Sequence, residues 1–188
     1  ITSSLPGAGS AQELDFGYGS FDTVRARGAV SGATSWGGYG IQASRVSTSG
    51  FKELDGGGST GFTQHDVLAK LKLGRSWLVT LGWADEDSHE TYLGIAQKDF
   101  DLNPYRRYAA SAADEMKWNH ASAQIEYETS FEGGDVLKIS AYHHQFARAW
   151  YRVDRFRDSA VAIRDVLRSP TGTGALYYDV LRGASDSS

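Results

Sequence analysis

The chain has 188 residues, a formal net charge of -4 and a mean hydropathy of -0.40, which fits one ordinary domain with no general affinity for nucleic acid. It has no cysteine, so a disulfide framework and a thiolate metal site are excluded. No run of 18 apolar residues occurs, which excludes a transmembrane helix but leaves a transmembrane β-barrel open, because barrel strands are apolar on one face only.

Twenty-two glycines against three prolines, with 12% aromatic residues, suit a β-rich chain with many turns. Period-2 alternation then predicts about seven strands. In chain order they are Leu14–Tyr18, Val24–Val30, Tyr39–Ala43, Val67–Leu73, Trp77–Trp83, Ala121–Tyr127 and Leu137–Ala141. After Ala141 the phase changes. Phe146, Arg148, Trp150 and Arg152 fall on one parity, as either a bulge or an exit from apolar surroundings would produce. The connections "GATSW", "LGRSW" and "FEGGD" are short. Between them lie "TSGFKELDGGGSTGFTQ", a stretch from about Asp85 to Asn119, and everything after Asp154. Only the first hairpin, at "GSFD", departs from this alternation.

One face of the predicted strands is polar. Arg25, Arg27, Lys70, Lys72, Gln124, Glu126, Glu128 and Lys138 share it, as a water-filled lumen permits and a sandwich core does not. The other face is apolar, with Tyr39, Trp77, Trp83 and Tyr127 expected near strand ends, where membrane interfaces favour aromatics. A soluble sheet with one solvated face gives the same alternation. The asymmetry of short turns and long loops favours the barrel.

Several motifs carry possible chemistry. "GGGSTG" satisfies both the nucleophile-elbow and the dinucleotide patterns, but a strand follows it where each pattern needs a helix; it reads as a flexible glycine loop. His65, His89, His120, His143 and His144 match no zinc spacing. His144 is a candidate for the lumen, with Arg148, Trp150 and Arg152. "DEDSHE", Asp85 to Glu90, offers oxygen ligands for a hard cation or serves as a solvated loop start. "NPYRRY" is the leading binding candidate. Arginine forks match carboxylate and phosphate oxygens, and tyrosines add an amphipathic surface. Its arginines could instead be structural, pairing with Asp99, Asp101 or Asp85, or holding "DEDSHE". Near the end, "IRDVLRS" and "YYDVLRG" read as short helices, with Val166 and Leu167, or Val180 and Leu181, packing down.

The segments "YGSFDTVRARGAVSG", "SGFKELDGGGSTGF", "LGWADEDSHETYLGIAQKDFDLNPYRRYAASAADEMKWNH" and "WYRVD" together resemble the barrel of TonB-dependent outer-membrane receptors, of the ferric-dicitrate and ferric-siderophore type. "ETYLG" followed by "NPYRRYAAS" is the most specific part. The resemblance implies an all-β fold: about seven antiparallel strands of a larger transmembrane β-barrel of roughly 22 strands. On this reading residues 1–11 end a plug domain, 12–154 are barrel strands and loops, and 155–188 belong to a truncated extracellular loop. It implies import of ferric citrate or a ferric siderophore, without enzymatic activity. The iron is carried by the chelator, with no cofactor or protein-bound metal. Ligand contacts are expected from Tyr92, Tyr105, Arg106, Arg107 and Tyr108. The implied partners are outer-membrane lipid and the TonB–ExbB–ExbD complex, the latter through the plug. A passive porin or adhesin barrel and a soluble carbohydrate-binding sheet are the alternatives.

Overall fold

A computed structural model describes residues 9–157 and 159–184. Seven long strands form one antiparallel sheet in strictly sequential order. They are β1 (Ala11–Gly19), β2 (Thr23–Thr34), β3 (Gly37–Thr48), β5 (Phe62–Leu73), β6 (Trp77–Ser88), β8 (Glu115–Ser130) and β9 (Val136–Tyr151). Two-residue strands β4 (Glu53–Leu54) and β7 (Arg106–Arg107) pair in parallel, Glu53 opposite Arg106 and Leu54 opposite Arg107. Three helices complete the described residues: α1 (Gln97–Leu102), α2 (Ile163–Arg168) and α3 (Gly174–Arg182), with a 3₁₀ turn at Ala109–Ser111.

The seven alternating segments all become strands, and all are longer than their patterns. β6 continues through Asp85–Ser88, so the acidic run begins inside a strand, and β8 starts at Glu115. The opening connection is therefore shorter than the expected stretch from Asp85 to Asn119, because backbone pairing persists where the side chains cease to alternate. Trp83 lies mid-strand as a result, not near an end. The phase change in β9 is not a bulge. Glu126 meets Lys138 at 3.1 Å, His120 meets His144 at 3.1 Å, and Trp118 meets Phe146 with ring centroids 6.1 Å apart. Six residues back along β8 match six forward along β9, then two match two, leaving no inserted residue between these pairs. What changes is chemistry: charged groups give way to rings on the same face.

By its internal contacts the chain divides into two compact units. The first comprises residues 1–47, 63–86 and 118–148, the greater part of the sheet. Its register explains its two faces. Leu14, Phe16 and Tyr18 lie opposite Gly28, Ala26 and Val24, while Asp15 and Gly17 lie opposite Arg27 and Arg25. On the polar face Arg27 donates to Glu13 at 2.7 Å and to Gln42 at 2.9 Å, so the charges there are mutually engaged. On the apolar face Trp77 and Tyr127 pack at 4.7 Å, and Tyr39 lies across Gly32 with no room for a side chain at that glycine. Arg45, opposite Ala26, is an exception to the pattern.

Among the described residues no apolar side chain of this first unit is buried. Leu14 is 87% exposed, Leu81 51% and Ile139 55%. The second unit comprises residues 48–62, 87–117 and 149–188, the three long connections. All of the buried apolar side chains lie there: Ala96, Tyr108, Met116, Phe156, Val166, Tyr178 and Leu181. Val166 and Leu181 come from the two short helices read in the tail, with Leu167 and Val180 partly buried beside them.

Candidate functional site

The second unit is organised around two buried carboxylates. Asp99, on α1, is 3% exposed. Its Oδ2 accepts hydrogen bonds from the hydroxyls of Tyr108 and Tyr178, and its Oδ1 accepts one from Arg106 Nη1 at 3.1 Å. Tyr108 Oη in turn accepts from the Ala96 backbone N–H at 2.9 Å. Burial alone pushes the Asp99 pKa up. The two tyrosine hydroxyls, with the Arg106 and Arg182 charges, outweigh it and hold the carboxyl below its ordinary value. Burial, and then the hydrogen bond to Asp99, drive the Tyr108 phenol far above its usual value, so it stays a donor.

Arg106 also donates Nε to both oxygens of Asp55, at 3.0 and 3.1 Å, and that hydrogen bonding raises its pKa. The glycine-rich connection is thereby tied to "NPYRRY", alongside the β4–β7 pairing. Gly61 closes the same connection: a side chain there would sit 1.8 Å from the Thr48 carbonyl oxygen.

Arg107 is 4% exposed. It donates to the Ser111 hydroxyl at 2.8 Å, to the Ser111 carbonyl at 2.6 Å, and to the carbonyl of His89, inside the "DEDSHE" run. Burial lowers its pKa, and the charge of Asp114 opposes the shift. Asp114, the second buried carboxylate, accepts from the Thr91 hydroxyl and from the Val153 N–H at 2.8 Å.

The sequence candidates are therefore not all brought together. Arg106, Arg107 and Tyr108 have their polar groups committed inside the unit. Tyr105 is exposed and meets Phe51 edge-on at 6.4 Å. Tyr92, Trp150 and Arg152 come together elsewhere: the Tyr92 and Trp150 rings lie 4.4 Å apart, and the Arg152 guanidinium stands 4.8 Å from one ring and 5.0 Å from the other. His144 is on β9, its Nδ1 3.1 Å from His120 Nε2, and Arg148 is an exposed residue of the same strand. Two acids of the "DEDSHE" run are likewise paired: Asp85 with His65 at 2.9 Å, Asp87 with Lys117 at 3.3 Å. Among the described residues no three His, Cys, Asp or Glu side chains gather as a closed metal site would require.

Tyr92 and Arg152 open onto a cleft of about 690 Å³, within the size range of small-molecule sites. Its apolar lining comes from Leu93, Ile95, Val153, Ile163 and Leu167. Gln97, Arg152, Asp154, Arg164 and Arg168 supply its polar groups. Arg164 and Arg168 were missed as site residues in the sequence. Their signal was the i, i+4 spacing within "IRDVLRS", which puts both on one helix face. Asp55, Asp114 and Tyr178 were missed as well. They serve through contacts 51, 39 and 79 residues distant, which no local pattern encodes.

Comparisons with family models, with curated proteins and with solved structures found no match to the chain.

Proposed function

We propose that the chain is part of an outer-membrane receptor of the TonB-dependent type, supplying barrel wall and ligand-facing loops for the import of a ferric chelate. The observation that carries this reading is the inverted placement of the core. A seven-stranded antiparallel meander leaves Leu, Ile and Trp exposed along one face, while the loop segments bury the apolar cluster. A soluble sheet buries one face against a second layer; a membrane strand turns its apolar face to lipid. The short-turn and long-loop asymmetry fits the same assignment. On this reading the three long connections are extracellular, and they form a folded unit that holds ligand-facing groups in place. The protein does no covalent chemistry. Iron travels inside the chelator, and energy reaches the barrel through a plug and the TonB complex.

Two measurements test this. The chain should fractionate with outer membrane and need detergent for extraction. Deleting its gene should cut accumulation of a labelled ferric chelate that the parent cells import. A chain recovered as a soluble monomer without detergent, or unchanged uptake of every chelate the cells import, removes the reading.

A further inference from the structure

Outside the second unit, two metal-ligating side chains meet on the polar face of β8 and β9. His120 and His144 stand opposite each other across these strands. His120 Nε2 lies 3.1 Å from His144 Nδ1, and the two rings are parallel within 4°. The register is marked on either side, by Glu126 with Lys138 and by Trp118 with Phe146. Backbone pairing therefore holds the two imidazoles together, as it does any directly opposed cross-strand pair.

Their separation is that of a chelate. Imidazole nitrogens bind divalent transition metals at about 2.0–2.1 Å, so two of them on one ion, at angles between square and tetrahedral, lie about 2.9–3.4 Å apart. In the metal-free pair one ring donates its N–H to the other. Binding an ion moves that proton to the donor ring's far nitrogen, so that both facing nitrogens present lone pairs and each ring stays neutral. Small side-chain rotations then aim the lone pairs at one point. His144 is exposed and His120 half-buried, which leaves room for such rotation. Phe146 and Tyr142 meet the pair edge to face, at 6.3 and 5.6 Å, and limit how far either imidazole swings away.

Small residues border the pair on the β6 side. A side chain at Gly82 would lie 2.5 Å from Ser122 Oγ, which sets Gly82 of β6 against Ser122 of β8 and so Ala84 beside His120. The pair meets a methyl group there and not a long side chain. Among the described residues no third His, Cys, Asp or Glu joins the two. The site is open, with two protein nitrogens and the remaining positions left to water or an exogenous ligand.

We propose that His120 and His144 form a two-imidazole site for a divalent transition-metal ion of the copper, nickel and zinc class. Ca²⁺ and Mg²⁺, which take oxygen ligands, do not suit it. The proposal goes beyond the receptor reading and does not rest on it: the strands themselves hold this ion, which is distinct from iron inside a chelator.

Calorimetry and electron paramagnetic resonance on the whole chain in detergent test it, with Cu²⁺, Ni²⁺, Zn²⁺ and Mg²⁺ each added alone as simple salts. Cu²⁺ should bind tightest, with Ni²⁺ and Zn²⁺ behind it and Mg²⁺ without measurable binding. The Cu²⁺ resonance should be split by two nitrogens. His120→Gln and His144→Gln should each weaken Cu²⁺ binding about tenfold or more, because loss of one arm ends the chelate, and should leave splitting from one nitrogen. His143→Gln, next to His144 but on the opposite face, should change neither affinity nor splitting. Bound Cu²⁺ should also raise the unfolding midpoint of the parent and of His143→Gln, and not that of the variant lacking both His120 and His144. A parent resonance split by one nitrogen or none overturns the proposal without recourse to any variant. Undiminished Cu²⁺ affinity in the double variant overturns it too, as does Mg²⁺ binding as tight as Cu²⁺. Cu²⁺ binding that needs both histidines, in a protein that imports no iron, leaves this site standing and removes only the receptor reading.

Discussion

Asp99 shows how one residue can be read twice. In sequence it is one acid among 23, a possible partner for an arginine, and the pairing with Arg106 was among the alternatives. The structure adds two tyrosines, one of them 79 residues away. Replacing the acid, Asp99→Asn, puts an amide NH2 either at the Oδ2 position, where both tyrosines lose their acceptor, or at the Oδ1 position, where it faces Arg106, and should cost about 3 kcal/mol in the second unit. The pH dependence has a definite sign. A carboxyl held below its ordinary value contributes stability that is complete above the unfolded value near 3.9 and disappears as pH falls through the lower, folded one. The gap in stability between parent and Asp99→Asn should therefore be flat from neutral pH to about pH 4 and shrink below it; thermal unfolding followed across that range measures it. A gap that widens on acidification would contradict the assignment.

At the first hairpin, Phe21 and Asp22 have φ of 60° and 51°, a left-handed pair that two-residue turns usually fill with Asn and Gly. Tyr18 supports the turn by donating to Asp22 at 3.0 Å. Phe21→Asn should stabilise the hairpin by about 1 kcal/mol, seen as a higher denaturant midpoint with an unchanged slope.

Among the elements, α3 carries the clearest local code. Its last turn ends in a Schellman arrangement: Ala184 N–H donates to Asp179 O at 2.9 Å and Gly183 N–H to Val180 O at 3.1 Å. Gly183 has φ 73°, and a side chain there would lie 2.8 Å from the Ala109 Cβ. Gly183→Ala combines left-handed strain with that clash, so it should cost at least about 1 kcal/mol and loosen Leu181 and Tyr178. Faster amide exchange across α3 would report it. The two tail helices and the seven strands were legible because period and punctuation are local; α1 (Gln97–Leu102), one short stretch inside the long connection, was not. The β4–β7 bridge was not. Two residues make no pattern, and their pairing partners are 53 positions apart, from Glu53 to Arg106. The end of β6 was missed for a related reason: "DEDS" offers no apolar side chains to alternate, yet its backbone goes on pairing.

For the molecule as a whole, sequence alternation described each strand correctly without showing where the core would be. Nothing in Leu81 or Ile125 separates a residue awaiting a second layer from one left open; both are exposed here. The receptor reading turns this into a measurement. Leu81→Arg, on the exposed apolar face, should lower stability in lipid by about 2–4 kcal/mol if the position lies near the bilayer midplane, whereas Glu126→Gln on the polar face should be tolerated. Folding yields into lipid vesicles compare the two. Equal yields would mean that the apolar face does not meet lipid.

The core of the second unit has a temporal consequence. Its pieces come from residues 48–62, 87–117 and 149–188, and Asp99 finds Tyr178 only after 79 intervening positions. Hairpins such as β1–β2 can close as soon as their own residues are available, but this cluster must wait for α3 and meet the entropy of closing a long loop. The unit that lines the cleft is thus the last part of the chain able to assemble. Until Tyr178 and Leu181 dock, Tyr108, Ala96 and Val166 stay open to solvent, which makes α3 the latch of the folding sequence and the interval before it the one most exposed to aggregation and proteolysis.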